Sequence, residues 1–220
     1  MKNIIISVLL VAGILASVNV QAQDEMLADS VNLDVMTYAE LSEQLIENLR
    51  QGKSTKAIQD KLANVSEKEL KESLDSEGER KAFWLNVYNA YVQIILTEDP
   101  ELFKDRDSVF GYNFFSSPQI TIAGKDVSFD DIEHGIIRRS KVKISGGYAS
   151  NPFPGGYEKK FRWDEVDARI HFALNCGAAA CPYIAAFDPD RVNEQLDITT
   201  KTIPGKNNGL LSGRKQGSRK

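Results

Sequence analysis

Apolar residues recur at intervals of three and four in several segments of the N-terminal half, which is the spacing of amphipathic helices. The first predicted helix begins at the capping box of Thr37 and Glu40 and ends at Gly52. Two shorter helices are predicted, one over residues 54–63 and one after the capping box of Ser66 and Glu69. The N-terminal part of the chain is therefore expected to be helical.

The longest predicted helix begins at the capping box of Ser76 and Glu79 and ends near Thr97, because Pro100 follows. Apolar residues lie on nearly all of its faces, so the helix is expected in the centre of the core. Three amides that share one face interrupt this surface: Asn86, Asn89 and Gln93. They either hydrogen-bond the backbone of a crossing loop or line a polar pocket, and the sequence leaves both interpretations open.

Short alternating segments replace the helical spacing in the second half of the chain. Residues 119–123 and 126–129 alternate around the pair Gly124-Lys125, which predicts a β-hairpin. Residues 169–175 alternate as well, which predicts a half-buried strand that leads to Cys176 and a turn of small residues. These strands are expected to belong to one small sheet.

Two further helices are predicted from capping signals. Ser128 caps a short helix that carries His134, and Asp188 caps a final helix with Pro189 at its first position. Together the elements predict an α+β fold. In this fold a helical N-terminal part and a long buried helix pack on a small, mainly antiparallel sheet.

Residues 1–22 have the pattern of a secretory signal peptide. Lys2 precedes an apolar run over residues 4–18, and small residues lead to a predicted cleavage site after Ala22. The run is shorter than the roughly 20 residues that cross a bilayer, so no stable membrane anchor is expected. The mature chain is predicted to begin at Gln23 and to be exported to the periplasm or the extracellular space.

Charge narrows the possible partners. The tail, residues 205–220, has five basic residues and no acidic one, which leaves residues 23–204 with a net charge of about −10. Such an acidic body disfavours a nucleic-acid partner, because nucleic-acid binding needs a basic face. The expected ligand is a small molecule or a peptide, and no cofactor is expected. We predict one domain over residues 23–204 and a disordered tail after it.

Three segments in this order resemble the DUF547 domain family. They read FWLNVYNA over residues 83–90, DIEHGIIR over residues 131–138 and RIHFALNCGAAACP over residues 169–182. The resemblance extends from about Leu70 to Thr202. The family has no established activity, so the resemblance implies none for this chain. Its members occur in exported bacterial proteins and in plant proteins.

The resemblance also implies a difference at the C-terminal end. Domains of this family continue past the equivalent of Thr202 with further apolar segments, whereas the basic tail follows that residue here. The domain is therefore expected to be truncated at its C-terminal end.

The chain contains two cysteines and two histidines, and all four lie in these motifs. One hypothesis makes Cys176 a nucleophile, with His134 or His171 as its base and the amide of Asn86 or Asn89 orienting that base. Backbone N–H groups after Gly177 would then stabilise an oxyanion. This hypothesis describes a cell-envelope hydrolase or acyl transferase that acts on a peptide or amide bond.

Other interpretations of the same residues stay open. Cys176 and Cys181 could form a structural disulfide in an exported protein, or both could be inert buried thiols. The two cysteines and the two histidines could bind zinc, although their spacing matches no common zinc pattern. A non-enzymatic envelope domain is the remaining alternative, with an aromatic loop from Tyr148 to Tyr157 that contacts a partner.

Overall fold

A computed structural model describes residues 32–106, 113–143, 149–175 and 185–201. The chain divides into two units, residues 1–35 and 36–220. All helices and strands reported below belong to the second unit. The predicted signal peptide, both cysteines and the predicted basic tail lie outside the described residues.

The capping boxes begin the N-terminal helices where the sequence predicts them. Thr37 and Glu40 exchange hydrogen bonds at the start of α1, and Ser76 and Glu79 form the box that begins α4. Ser66 caps α3 by accepting from the Glu69 N–H group, which is one of the two hydrogen bonds of the predicted box. The helices in this part are α1 (Tyr38–Arg50), α2 (Lys56–Asn64), α3 (Glu67–Ser73) and α4 (Glu77–Glu98). A 3₁₀ helix, Pro100–Asp105, follows α4 directly.

The described residues of the second half contain one small sheet and several short helices. Strands β1 (Ile120–Ile122) and β2 (Lys125–Val127) pair antiparallel. The helices are a π-helix (Asp131–Ile137), α5 (Gly156–Phe161), a second 3₁₀ helix (Ala168–Phe172) and α6 (Val192–Lys201). The predicted α+β class, with its helical N-terminal part, is confirmed.

Helix α4 lies in the centre of the core, as its apolar faces predict. Its residues from Lys81 to Ala90 are all buried, and it packs against α1, the π-helix and α6. The Trp84 ring contacts the rings of Phe83, Tyr157 and Phe161. Burial on every side explains why α4 lacks the one-sided apolar stripe of a surface helix.

The hairpin turns one residue earlier than the sequence predicts. Ala123 and Gly124 form the two-residue turn with φ angles of 52° and 71°, so Lys125 belongs to β2. Positive φ at both central residues matches the right-handed twist of the strands. The turn donates its two backbone N–H groups to the carbonyls of Leu62 and Ala63, which fixes the hairpin at the end of α2.

The predicted strand over residues 169–175 is wrong. This segment forms the second 3₁₀ helix, because the Asp167 side chain accepts a hydrogen bond from the Arg169 N–H group and begins a helical turn. The Arg169 guanidinium also hydrogen-bonds Asp167 and holds the pKa of that carboxyl at about 2. The buried residues are therefore Ile170, Ala173 and Asn175 rather than every second residue.

The final helix begins later than predicted. The Asp188 side chain accepts from the Asp190 N–H group and its carbonyl accepts from the Arg191 N–H group, so residues 188–191 form a turn. Helix α6 follows from Val192. Within the described ranges, the structure contains no helix with the length and apolar character that a bilayer crossing requires.

Candidate functional site

Asn89 on α4 binds the backbone of the segment that leads to Cys176. Its Nδ2 donates to the Ala173 carbonyl at 2.9 Å, and its Oδ1 accepts from the Asn175 N–H group at 2.8 Å. Asn89 is fully buried, so these bonds satisfy backbone groups that water cannot reach. The chain is thereby fixed to α4 up to the residue before Cys176.

Asn86, one helical turn earlier, binds the chain after the cysteine segment. Its Nδ2 donates to the Phe187 carbonyl at 2.8 Å, and its Oδ1 accepts from the Phe187 N–H group at the same distance. A further bond runs from Nδ2 to the Ser42 hydroxyl on α1. Asn86 and Asn89 therefore agree with the first of the two interpretations of these amides, in which they hydrogen-bond the backbone of a crossing loop.

These two amides attach both ends of one segment to the same helix. Residues 176–184 lie between the two attachment points in sequence, and they include Cys176 and Cys181. That segment is outside the described residues, so the nucleophile, disulfide and zinc hypotheses remain predictions. Side chains of the other two family-like motifs lie near the attachment point that precedes this segment in the sequence.

Glu133, Arg138, Tyr88 and His171 form a polar cluster that joins all three motifs. Nε and Nη2 of Arg138 both lie 3.0 Å from Glu133 Oε1, and the Tyr88 hydroxyl lies 3.4 Å from Glu133 Oε2. Arg138 Nη2 also lies 3.5 Å from His171 Nδ1. A guanidinium can only donate, so a hydrogen bond in this contact would have Nδ1 as its acceptor.

The π-helix explains why Glu133 and Arg138 meet. These residues are five positions apart, and the Arg138 N–H group donates to the Glu133 carbonyl at 2.8 Å. This five-residue repeat is the hydrogen-bond pattern of a π-helix, which is often found at functional sites. The sequence interpretation missed Glu133, Arg138 and Tyr88 as site residues. Their presence in the first two family-like motifs was the available signal.

His134 lies on the same π-helix but in a different environment. Its Nε2 is 3.9 Å from Asp130 Oδ1, and its buried Nδ1 has no hydrogen-bond partner among the described residues. Burial lowers the pKa of His134, and the nearby Glu133 and Asp130 offset only part of this effect. Its imidazole therefore stays neutral to a lower pH than a free imidazole does.

A cleft of about 380 Å³ opens beside His134. Asp130 and Glu158 contribute carboxylates to its lining, and Lys141 and Lys143 contribute ammonium groups. Lys143 binds both oxygens of Asp130, at 2.9 and 2.8 Å. Within the described part of the chain, no hydrogen bond joins His134 to His171, although Glu133 and Arg138 of the polar cluster both influence the pKa of His134.

The other predicted features are only partly within the described residues. Tyr157, at one end of the predicted aromatic loop, is buried and donates its hydroxyl to the Ile122 carbonyl, whereas Phe153 is 87% exposed. Tyr148, at the other end, lies outside the described residues. No group of three or more metal-binding side chains occurs in the described ranges, which contain neither cysteine of the zinc hypothesis.

The comparison with family models agrees with these motifs. The chain belongs to the family described as "Protein of unknown function, DUF547", whose model matches residues 72–202. All three motifs lie inside that range, as do both amides on α4 and the cluster around Glu133. A search of the curated proteins found no match to this chain, and neither did a search of the solved structures.

Proposed function

We propose that this protein is an exported, thiol-dependent hydrolase or acyl transferase of the cell envelope, with Cys176 as its nucleophile. The observation that carries the proposal is the attachment of the chain before Cys176 to α4. Asn89 binds the backbone on both sides of Leu174, and the cluster of Glu133, Arg138 and His171 lies next to that segment. A reactive thiol needs a fixed backbone and nearby polar groups of this kind.

The proposed reaction begins when the Cys176 sulfur attacks the carbonyl carbon of a peptide or amide bond. A histidine accepts the thiol proton, and a tetrahedral intermediate forms. The same imidazolium returns the proton to the nitrogen as the carbon–nitrogen bond breaks, which releases an amine and leaves a thioester. Water then cleaves the thioester in a hydrolase, or an acceptor nucleophile does so in an acyl transferase.

His134 is the better candidate for the base, and His171 is the alternative. A general base must be neutral before it accepts a proton, and burial lowers the pKa of His134, which favours its neutral form. The cleft beside His134 also gives a substrate access. His171 already contacts Arg138 through Nδ1, which suits a residue that positions its neighbours. We assign Asn86 and Asn89 to holding the cysteine segment in place.

Thiol labelling across pH tests this proposal. We expect iodoacetamide to label Cys176 well below pH 8.5, the ordinary pKa of a thiol, because only the thiolate reacts. Cys176→Ser should abolish that labelling, and Cys181→Ser, the matched control, should leave it largely unchanged. His134→Ala should raise the pH at which labelling occurs, because it removes the base, whereas His171→Ala should have the smaller effect.

Two results would contradict the thiol enzyme. A protein with no free thiol before reduction, and a mass two hydrogens lower than the reduced chain, would favour the disulfide and a non-enzymatic envelope domain. Labelling of Cys176 only near pH 8.5, unchanged in both histidine variants, would indicate an inert thiol. Stoichiometric zinc bound through the cysteines would instead support the metal hypothesis.

Export is a separate part of the proposal and has its own test. When the chain is expressed with its first 22 residues, the envelope fraction should contain protein that begins at Gln23, because a signal peptidase cleaves after small residues. Mass spectrometry of the intact protein measures this, with a cyclised Gln23 as an allowed form. A chain recovered from the cytoplasm with Met1 intact would contradict export.

A further inference from the structure

A second concave surface, which shares no lining residue with the cleft beside His134, has an unusual excess of positive charge. This basic pocket has a volume of about 370 Å³. Six basic residues line it: Lys71, Arg80, Arg139, Lys159, Lys160 and Arg162. Asp164 is the acidic residue among the lining residues. The excess is unexpected in a chain with a net charge of −4, because surface charges of both signs are usually interspersed.

The basic pocket is assembled by tertiary structure rather than by one charged run. Its residues come from α3, from the start of α4, from the turn after the π-helix, and from α5 with the residues that follow it. Like charges repel, so bringing them together in one concavity costs free energy unless an anion compensates for it. The convergence therefore points to a ligand with several negative charges.

Two of the guanidinium groups are held in fixed positions. Arg80 Nη1 donates to the carbonyls of Leu74 and Asp75, and Nη2 binds Asp164 at 2.6 Å. Arg162 Nη1 lies 3.1 Å from the Ser140 hydroxyl. Side chains that are already ordered lose little conformational entropy when a ligand binds. Planar guanidinium groups also match the geometry of phosphate oxygens.

Other cations of the basic pocket are available for a ligand. Lys160 forms an ion pair with Glu67, but Lys71, Arg139 and Lys159 have no ion-pair partner within the described ranges. Arg139 has a φ angle of 52°, in the left-handed region that non-glycine residues rarely adopt. The surrounding structure must therefore stabilise this backbone conformation.

Trp163 forms part of the pocket wall and is 1% exposed. Its indole N–H group has no hydrogen-bond partner among the described residues.

From the charge excess, the fixed guanidinium groups and the available cations, we propose that the basic pocket binds the phosphate or pyrophosphate group of a small molecule. The volume suits a ligand the size of a phosphorylated sugar, and the acidic body of the protein disfavours a nucleic acid.

Titration of the full chain with pyrophosphate, at constant ionic strength, tests the proposal. We expect saturable binding by isothermal calorimetry and a weakening of at least tenfold in the double variant Arg139→Ala/Lys159→Ala. The charge-matched control is Lys56→Ala/Lys104→Ala, which removes two exposed cations elsewhere and should change the affinity less than twofold. Because all four side chains are exposed, both variants should keep the wild-type melting temperature.

The two tryptophans give an independent readout, because the chain has one in the pocket wall and one in the core. In NMR spectra of the wild-type chain, pyrophosphate should shift the indole N–H signal of Trp163 and leave that of Trp84 unchanged. Linear, non-saturating calorimetry would overturn the proposal. Equal weakening in both double variants, or equal shifts of both indole signals, would also overturn it, because the effect would then be general electrostatics.

Discussion

Trp84→Ala is expected to lower the free energy of unfolding by about 3–5 kcal/mol, because it removes one of the two tryptophan side chains that are buried among the described residues. The Trp84 ring lies 5.0 Å from that of Phe83 and 5.7 Å from that of Phe161, between centroids, so its loss leaves a cavity lined by aromatic groups. Chemical denaturation measures the change. For a domain of this size, the melting temperature should fall by on the order of 10 °C.

Phe153→Ala is the matched control for this prediction. The substitution also removes an aromatic ring, but Phe153 is exposed and should change the free energy of unfolding by less than about 0.5 kcal/mol. A loss of less than 1 kcal/mol in Trp84→Ala would mean that α4 does not lie in the centre of the core.

Asn86→Ala and Asn89→Ala are each expected to lower the free energy of unfolding by about 2–5 kcal/mol. Each substitution leaves one buried backbone N–H group and one buried carbonyl without a partner, and each such group costs about 1–3 kcal/mol. Equilibrium unfolding in urea measures both variants. Asn64→Ala serves as the control, because its amide donates to the Asp60 carbonyl on an exposed surface.

Hydrogen exchange separates this local effect from general destabilisation. In Asn89→Ala, the Asn175 amide should exchange faster than in Asn86→Ala, because its hydrogen bond is accepted by Asn89 and not by Asn86. The Phe187 amide should show the opposite order. If both amides exchanged equally fast in the two variants, the attachment of separate segments by separate residues would be wrong.

Local signals in the sequence predicted the N-terminal helices well. The capping boxes at Thr37 and Ser76 depend on side chains that bond backbone three residues away, so the information lies within one helical turn. The hairpin around Gly124 is equally local, although its turn begins at Ala123. Predictions of this kind succeed because no distant contact competes with them.

The segment before Cys176 shows where a local pattern is insufficient. Alternation over seven residues predicted a strand, but a strand also needs a partner strand to satisfy its backbone. Here the partners are side chains: Asp167 begins a helical turn, and Asn89 binds the backbone at Ala173 and Asn175. The identity of these partners depends on the packing of α4, which the alternating pattern does not contain.

The candidate site was only partly predictable for the same reason. The motifs identified Asn86, Asn89, His134 and His171 as candidate site residues. They did not predict which groups these side chains contact. The pairing of Glu133 with Arg138 depends on the five-residue repeat of a π-helix, and the short predicted helix did not specify that repeat. The basic pocket was not predicted at all, because its cations are far apart in sequence.

The sequence by itself determined the helix starts at Thr37, Ser66 and Ser76, the buried character of α4, the hairpin and the membership in the DUF547 family. Each of these depends on neighbouring residues or on the order of motifs along the chain. Tertiary structure alone decided which backbone the α4 amides bind, which cluster includes His171 and where the cations converge. Those outcomes depend on contacts between residues tens of positions apart, which form only when the core packs.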